Sequence, residues 1–122
     1  GKEVEKAAED KSGAVVIYKG NDNSDDLEKD VVVVESLDPQ LLIDEMSKNG
    51  TLGENIKVNS FKNENGTINI DVSSEFQDYI DNMGTSGELI AIDSFKNTFK
   101  DAYGVENVVI TVDGNGLSSS GE

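Results

Sequence analysis

Asn65-Gly66 stands between two short runs, in the order IKVNSFK, NENG, TINIDV over residues 56–72. An Asn-Gly pair supplies the positive φ angles that a tight hairpin turn needs. After it, Ile68, Ile70 and Val72 alternate with Thr67, Asn69 and Asp71, so one face of the second strand is apolar and the other can meet water. Residues 56–62 and 67–72 therefore read as an antiparallel hairpin. Ile92, Phe95, Phe99 and Tyr103 recur at helical spacing, a stripe that needs something apolar to lie against.

The rest of the chain switches between these two periods. Ala14 to Lys19 and Val31 to Glu35 read as strands, rich in β-branched residues. Asp38-Pro39 announces a helix with Leu42 and Met46 on its apolar line and Gly50 as its stop. SSEFQDYIDNMG reads as a connection, and Thr85 with Glu88 has the form of a capping box opening a second helix that Gly104 ends. Glu106 to Val112 is a last strand, and Asp113-Gly114 a turn. The order β-β-α-β-β-α-β, with right-handed crossovers, predicts an α+β fold. It is an open two-layer sandwich in which a mixed sheet carries two helices on one face, with ferredoxin-like layering. One domain is expected over residues 14–114, between a polar linker (1–13) and a polar tail (115–122).

Composition narrows function by exclusion. The net charge of −15, with ten lysines and no arginine, disfavours nucleic acid, anionic lipid and anionic ligands. No apolar run is long enough to span a membrane, so this segment is not expected to insert directly; a signal or lipid anchor upstream of Gly1 stays open. Without His or Cys, neither a Ser-His-Asp triad nor the usual zinc and iron sites can be built. No serine has a lysine three positions later, and neither GTLGEN nor GNGLSSSG forms a phosphate loop. The acidic stretch NDNSDDLEKD fails as a calcium loop. Counted from Asp22, with Ser24, Asp26 and Asp30 as ligands, the sixth position is Leu27 instead of Gly and the twelfth is Val33 instead of Glu. It reads as a hydrated loop. No cofactor is expected, and a carboxylate pair among 25 acids has no diagnostic value.

Two apolar features need an account. Val31 to Val34 is apolar on both faces of its strand, and Val109 with Val16 or Ile17 adds to it; this side is covered by residues 1–12, left as surface, or used by a partner. Phe76, Tyr79, Ile80 and Met83 in the long connection form either a lid on the core or a recognition loop. Val31, Val33, Val109, Phe76, Tyr79, Ile80 and Met83 are therefore the candidate partner surface.

The second half also carries a family pattern: Asp71, Ser73 and Phe76 at the end of a strand, then Asn97-Thr98 in a helix, Gly104-Val105, and Val112-Asp113-Gly114. In these residues the chain resembles the GerMN domain of bacterial sporulation and spore germination lipoproteins. The Pro-Gly-Thr loop common in that family appears here only as GTLGEN. The resemblance implies an extracytoplasmic, envelope-associated, non-enzymatic domain, often on a lipoprotein and similar in fold to ring-building motifs. It brings no catalytic residues. The expected role is an interaction or assembly module with a protein partner or a second copy. The alternative is a binding domain for cell-wall glycan or a small molecule near the connection from Phe76 to Met83, and a carboxylate-dependent hydrolase ranks third.

Overall fold

The structure, a computed structural model, describes residues 13–20 and 26–117. Strands β1 (Gly13–Gly20) and β2 (Leu27–Val34) precede helix α1 (Pro39–Lys48). Strands β3 (Val58–Glu64) and β4 (Thr67–Val72) follow, then helices α2 (Ser74–Asp81) and α3 (Thr85–Tyr103), and finally β5 (Asn107–Val112) and β6 (Asn115–Gly116). The layered α+β architecture is the one expected. The described residues hold three helices, because SSEFQDYID closes into α2 with Phe76 and Ile80 one turn apart on its inner side.

The described strands fall into two sheets. β1 and β2 form an antiparallel pair, while the other four have the order β3-β4-β5-β6. Within the larger sheet β4 and β5 are parallel, and the flanking pairs are antiparallel. Helix α3 meets the backbone of β1 between the two sheets. On the side of β1 away from β2, the Tyr18 amide donates to Thr98 Oγ1 of α3 at 2.9 Å, so a helix takes the place where another strand would pair.

Several boundaries differ from the sequence reading. β2 begins at Leu27, so its first four residues, Leu27 to Asp30, come from the acidic stretch read as loop. They pair with Ile17, Tyr18, Lys19 and Gly20, and Lys19 Nζ meets Asp30 Oδ2 at 3.2 Å. Asp22 and Ser24 of the calcium-loop comparison, and the polar stretches 1–12 and 118–122, lie outside the described residues. Thr85 does not cap α3: the N-cap is Gly84, and Glu88 turns inward to a buried position. The final turn feeds β6, which pairs with Thr111 and Val112, so the sheet extends into what reads as polar tail.

α1 begins as its sequence dictates. Asp38 Oδ2 accepts from the amides of Gln40 and Leu41, and Pro39 occupies the first turn. Gln40 then ties the helix to β3, donating from Nε2 to the Ile56 carbonyl at 2.9 Å and accepting the Val58 amide at 2.7 Å. The hairpin turn puts Asn65 and Gly66 at φ 50° and 77°, as Asn-Gly requires.

The core lies between the helices and the apolar face of the larger sheet. Ile68, Ile70 and Val72 sit level with Val108, Ile110 and Val112 across the parallel pair, and all six are buried. Against them α3 lays a row of rings: Phe95 and Phe99 have centroids 5.2 Å apart, and Phe76 of α2 meets Phe95 edge-on at 5.3 Å. Tyr103 ends the row, stacked on Phe99 and donating its hydroxyl to the Leu37 carbonyl at 3.2 Å.

Candidate functional site

The β1–β2 hairpin presents its outward face in register pairs: Ala14 with Val33, Val16 with Val31, and Tyr18 with Lys29. Period-two alternation makes this face continuous, and the VVVV run makes it apolar. Val31 is 68% exposed and Val33 78%. At the far end Lys29 Nζ lies 5.6 Å from the Tyr18 ring centroid, and Tyr18 donates its hydroxyl to Asp101 Oδ2 at 2.6 Å. That bond, with partial burial and the Asp101 charge, holds the phenol above its ordinary pKa. The outer edge of β2 pairs with no strand among the described residues. Beside Val33, a groove of about 270 Å³ runs between β2 and α1, past Glu35, Leu41, Glu45 and Lys48.

The other candidates separate. Val109, 45% exposed, belongs to the open face of the four-stranded sheet, level with Asn69, and so lies in a different sheet from Val31 and Val33. Phe76 and Ile80 must be removed from the partner surface, because both are fully buried. Their helical spacing, inside a segment read as a connection, turns them inward together. Tyr79 is half-buried, donates to the Thr51 carbonyl at 3.2 Å, and has its phenol pushed up by desolvation. Met83 is partly buried against the core.

Tyr79 and Met83 instead border a cleft of about 280 Å³. Lys19, Gly20 and Glu28 of the hairpin form one wall, the turn Asn49-Gly50-Thr51 after α1 a second, and Gly87, Ile90, Ala91 and Ser94 of α3 a third. Glycines bring the walls close. A Cβ on Gly53 would come within 2.8 Å of the Tyr79 ring, and one on Gly20 within 2.6 Å of Ile90 Cγ2. Thr51, 6% exposed, and Ser94, fully buried, place Oγ1 and Oγ out of reach of solvent and without a hydrogen-bond partner. Sequence reading missed both. The legible signal was a column of small residues, Ala91, Ser94 and Thr98, on the inner side of an otherwise bulky helix.

A third constellation is polar. Asp71 on β4 accepts from Thr111 Oγ1, from the Gly114 amide at 2.7 Å and from Asn59 Nδ2 at 2.9 Å. These bonds, Thr111 first, hold its carboxyl below the usual range. Three donors from the chain itself meet this one carboxylate, which makes it a structural clamp. Among the described residues no group of three or more acidic side chains is arranged to hold a metal ion.

The family model described as sporulation and spore germination, Germane, matches residues 15–118. The chain belongs to this family. A crystal structure of a Clostridium perfringens protein assigned as a lipoprotein is similar to the Germane domain, with a TM-score of 0.56 and 20% identity over 88% of this chain and 80% of that one. At that identity the likeness shows the fold. No curated protein matches. No helix among the described residues is long and apolar enough to cross a membrane.

The residues that carry the Germane pattern hold architecture together. Asp71 clamps the turn at Asp113-Gly114, where φ is 49° and 85°. Ser73 accepts the Lys57 amide through Oγ while its own amide donates to the Lys57 carbonyl, both at 2.9 Å. Phe76 fills the core, Thr98 fastens the hairpin, and Gly104 closes α3 at φ 66°.

Proposed function

We propose that this Germane domain is a non-catalytic assembly module outside the cytoplasm, carried by an envelope-anchored protein of sporulation or germination. It docks a partner protein on the outward face and free edge of the hairpin. The observation that carries this reading is the exposure of Val31 and Val33 on a strand whose outer edge has no strand partner among the described residues. An edge strand offers a row of main-chain donors and acceptors, and two valines beside it supply apolar contact, the two ingredients of strand addition.

Charge chooses between a second copy and another protein. Two chains at −15 repel on close approach, whereas a partner with a basic rim is drawn in. A partner with lysines or arginines flanking an apolar strand therefore fits this face. The extracytoplasmic setting draws support from the family and from the lipoprotein assignment of the Clostridium protein. The absence of His and Cys from the sequence supports a module without triad or thiol catalysis.

A photo-crosslinking residue placed at position 33, in cells making the full protein, tests the reading. A discrete heterologous adduct is expected, lost on Val31→Lys and absent with the crosslinker at position 69 on the other sheet. No adduct at 33 in cells that carry the protein, or only a homodimeric one, overturns it.

A further inference from the structure

We propose that the cleft between the hairpin and α3 binds a small, uncharged polyhydroxy molecule of about one sugar ring. This goes beyond the docking face, which lies on the outward side of the hairpin.

The decisive observation is the pair of unpartnered hydroxyls. Thr51 Oγ1 and Ser94 Oγ come from two elements far apart in sequence, both residues border this one cleft, and neither group bonds to the protein. Buried polar groups are ordinarily satisfied, so two exceptions in residues that border one cleft point to a ligand that completes them. A hydroxyl both donates and accepts, so the group that satisfies two of them best does both as well.

Charge and size narrow the class. A carboxylate or phosphate offers acceptors only and would approach Glu28 on a chain of net charge −15. A cation would approach Lys19, which is tied to Asp30 at 3.2 Å. A neutral ligand meets neither repulsion. At about 280 Å³ the cleft falls just below the range of drug-sized pockets, roughly 300–1,000 Å³, which suits a single ring. Tyr79, Met83 and Ile90 supply apolar wall for the C–H faces of such a ring.

Access requires one side chain to yield, because both hydroxyls are closed from solvent. Met83 lies against Gly87, with its Cε 3.3 Å from where a Cβ would stand. Its chain is unbranched and adaptable, and in this proposal it is the wall that shifts as the ligand enters.

The test is an amide NMR titration of the full chain with glucose, N-acetylglucosamine and myo-inositol, with glucuronate as the anionic control. Saturable shifts centred on Gly50, Thr51, Gly87 and Ser94 are expected with at least one neutral probe, and weaker binding of glucuronate. Ser94→Ala and Thr51→Val should each weaken that binding by about tenfold, the loss of one neutral hydrogen bond. Their melting temperatures should hold or rise, since neither hydroxyl bonds to the protein, whereas Val31→Lys should leave binding unchanged. Chitotriose binding more tightly than N-acetylglucosamine assigns the site to a glycan chain end, and equal binding to a free monosaccharide; either supports the proposal. It is overturned if no neutral probe saturates, if glucuronate binds as tightly, or if both variants keep full affinity.

Discussion

Thr111 donates its hydroxyl to Asp71 directly across the parallel β4–β5 pair, where the two residues are register partners. With the Gly114 amide and Asn59 on the same carboxylate, this bond joins β3, β4, β5 and the turn into β6. Asp71→Asn keeps the shape and removes the charge, and is expected to cost about 1–2 kcal/mol, reduced from the value for a buried ion by solvent screening. The folded-state pKa of Asp71 is depressed, so its contribution is full above the unfolded value of about 4 and is lost as pH falls through the folded one. Denaturant melts at neutral pH and below pH 4 should show an acid-side loss in the parent chain that is smaller in the variant.

The three tyrosines act on the opposite limb. Tyr18 is raised by its bond to Asp101, Tyr79 by desolvation, and Tyr103 by desolvation and then by the nearby Asp38 charge. A phenol whose folded pKa is raised contributes stability that is intact below the unfolded value of about 10 and fades as pH rises past it. Ultraviolet titration should show tyrosinate forming later in the folded chain than in urea, with Tyr103 last.

Thr98→Val removes the acceptor of the Tyr18 amide without changing the volume much. It leaves a backbone donor unpaired beside a fully buried site, at an expected cost of about 1–3 kcal/mol. Hydrogen exchange should accelerate at Tyr18 and across the hairpin while the amides of β4 and β5 keep their protection. Uniform acceleration would show that Thr98 serves general stability alone.

Phe95→Ala opens the middle of the ring row between Phe76 and Phe99, and should cost about 3–5 kcal/mol by chemical denaturation. Gly104→Ala, at φ 66°, should cost about 1 kcal/mol through its left-handed backbone alone.

The sequence was most readable where chemistry is local. Asn65-Gly66 specifies its own turn, Asp38-Pro39 its own helix start, and the spacing of Ile92, Phe95 and Phe99 its own inner face. Phe76 and Ile80 were ambiguous because a helix of eight residues offers only two apolar turns, too few for the period to declare itself among polar neighbours. Residues 27–30 misled for a different reason. Three of the four are charged, yet pairing with β1 and the ion pair to Lys19 make them strand. The division into two sheets was illegible, since the edge of β1 is met by a threonine 80 positions away in sequence. The cleft depends on glycines whose neighbours only the folded chain reveals.

The attachment of the hairpin to a helix has a mechanical outcome. Among the described residues no inter-strand ladder crosses from β1–β2 to the four-stranded sheet, so the two are joined by α3 and by side-chain packing, with Val15, Ile17 and Val34 sharing one core with Ile68, Ile70 and Val72. Force applied to β2 by a bound protein would then reach the four-stranded sheet through α3 and that shared core, with no strand pairing to carry it.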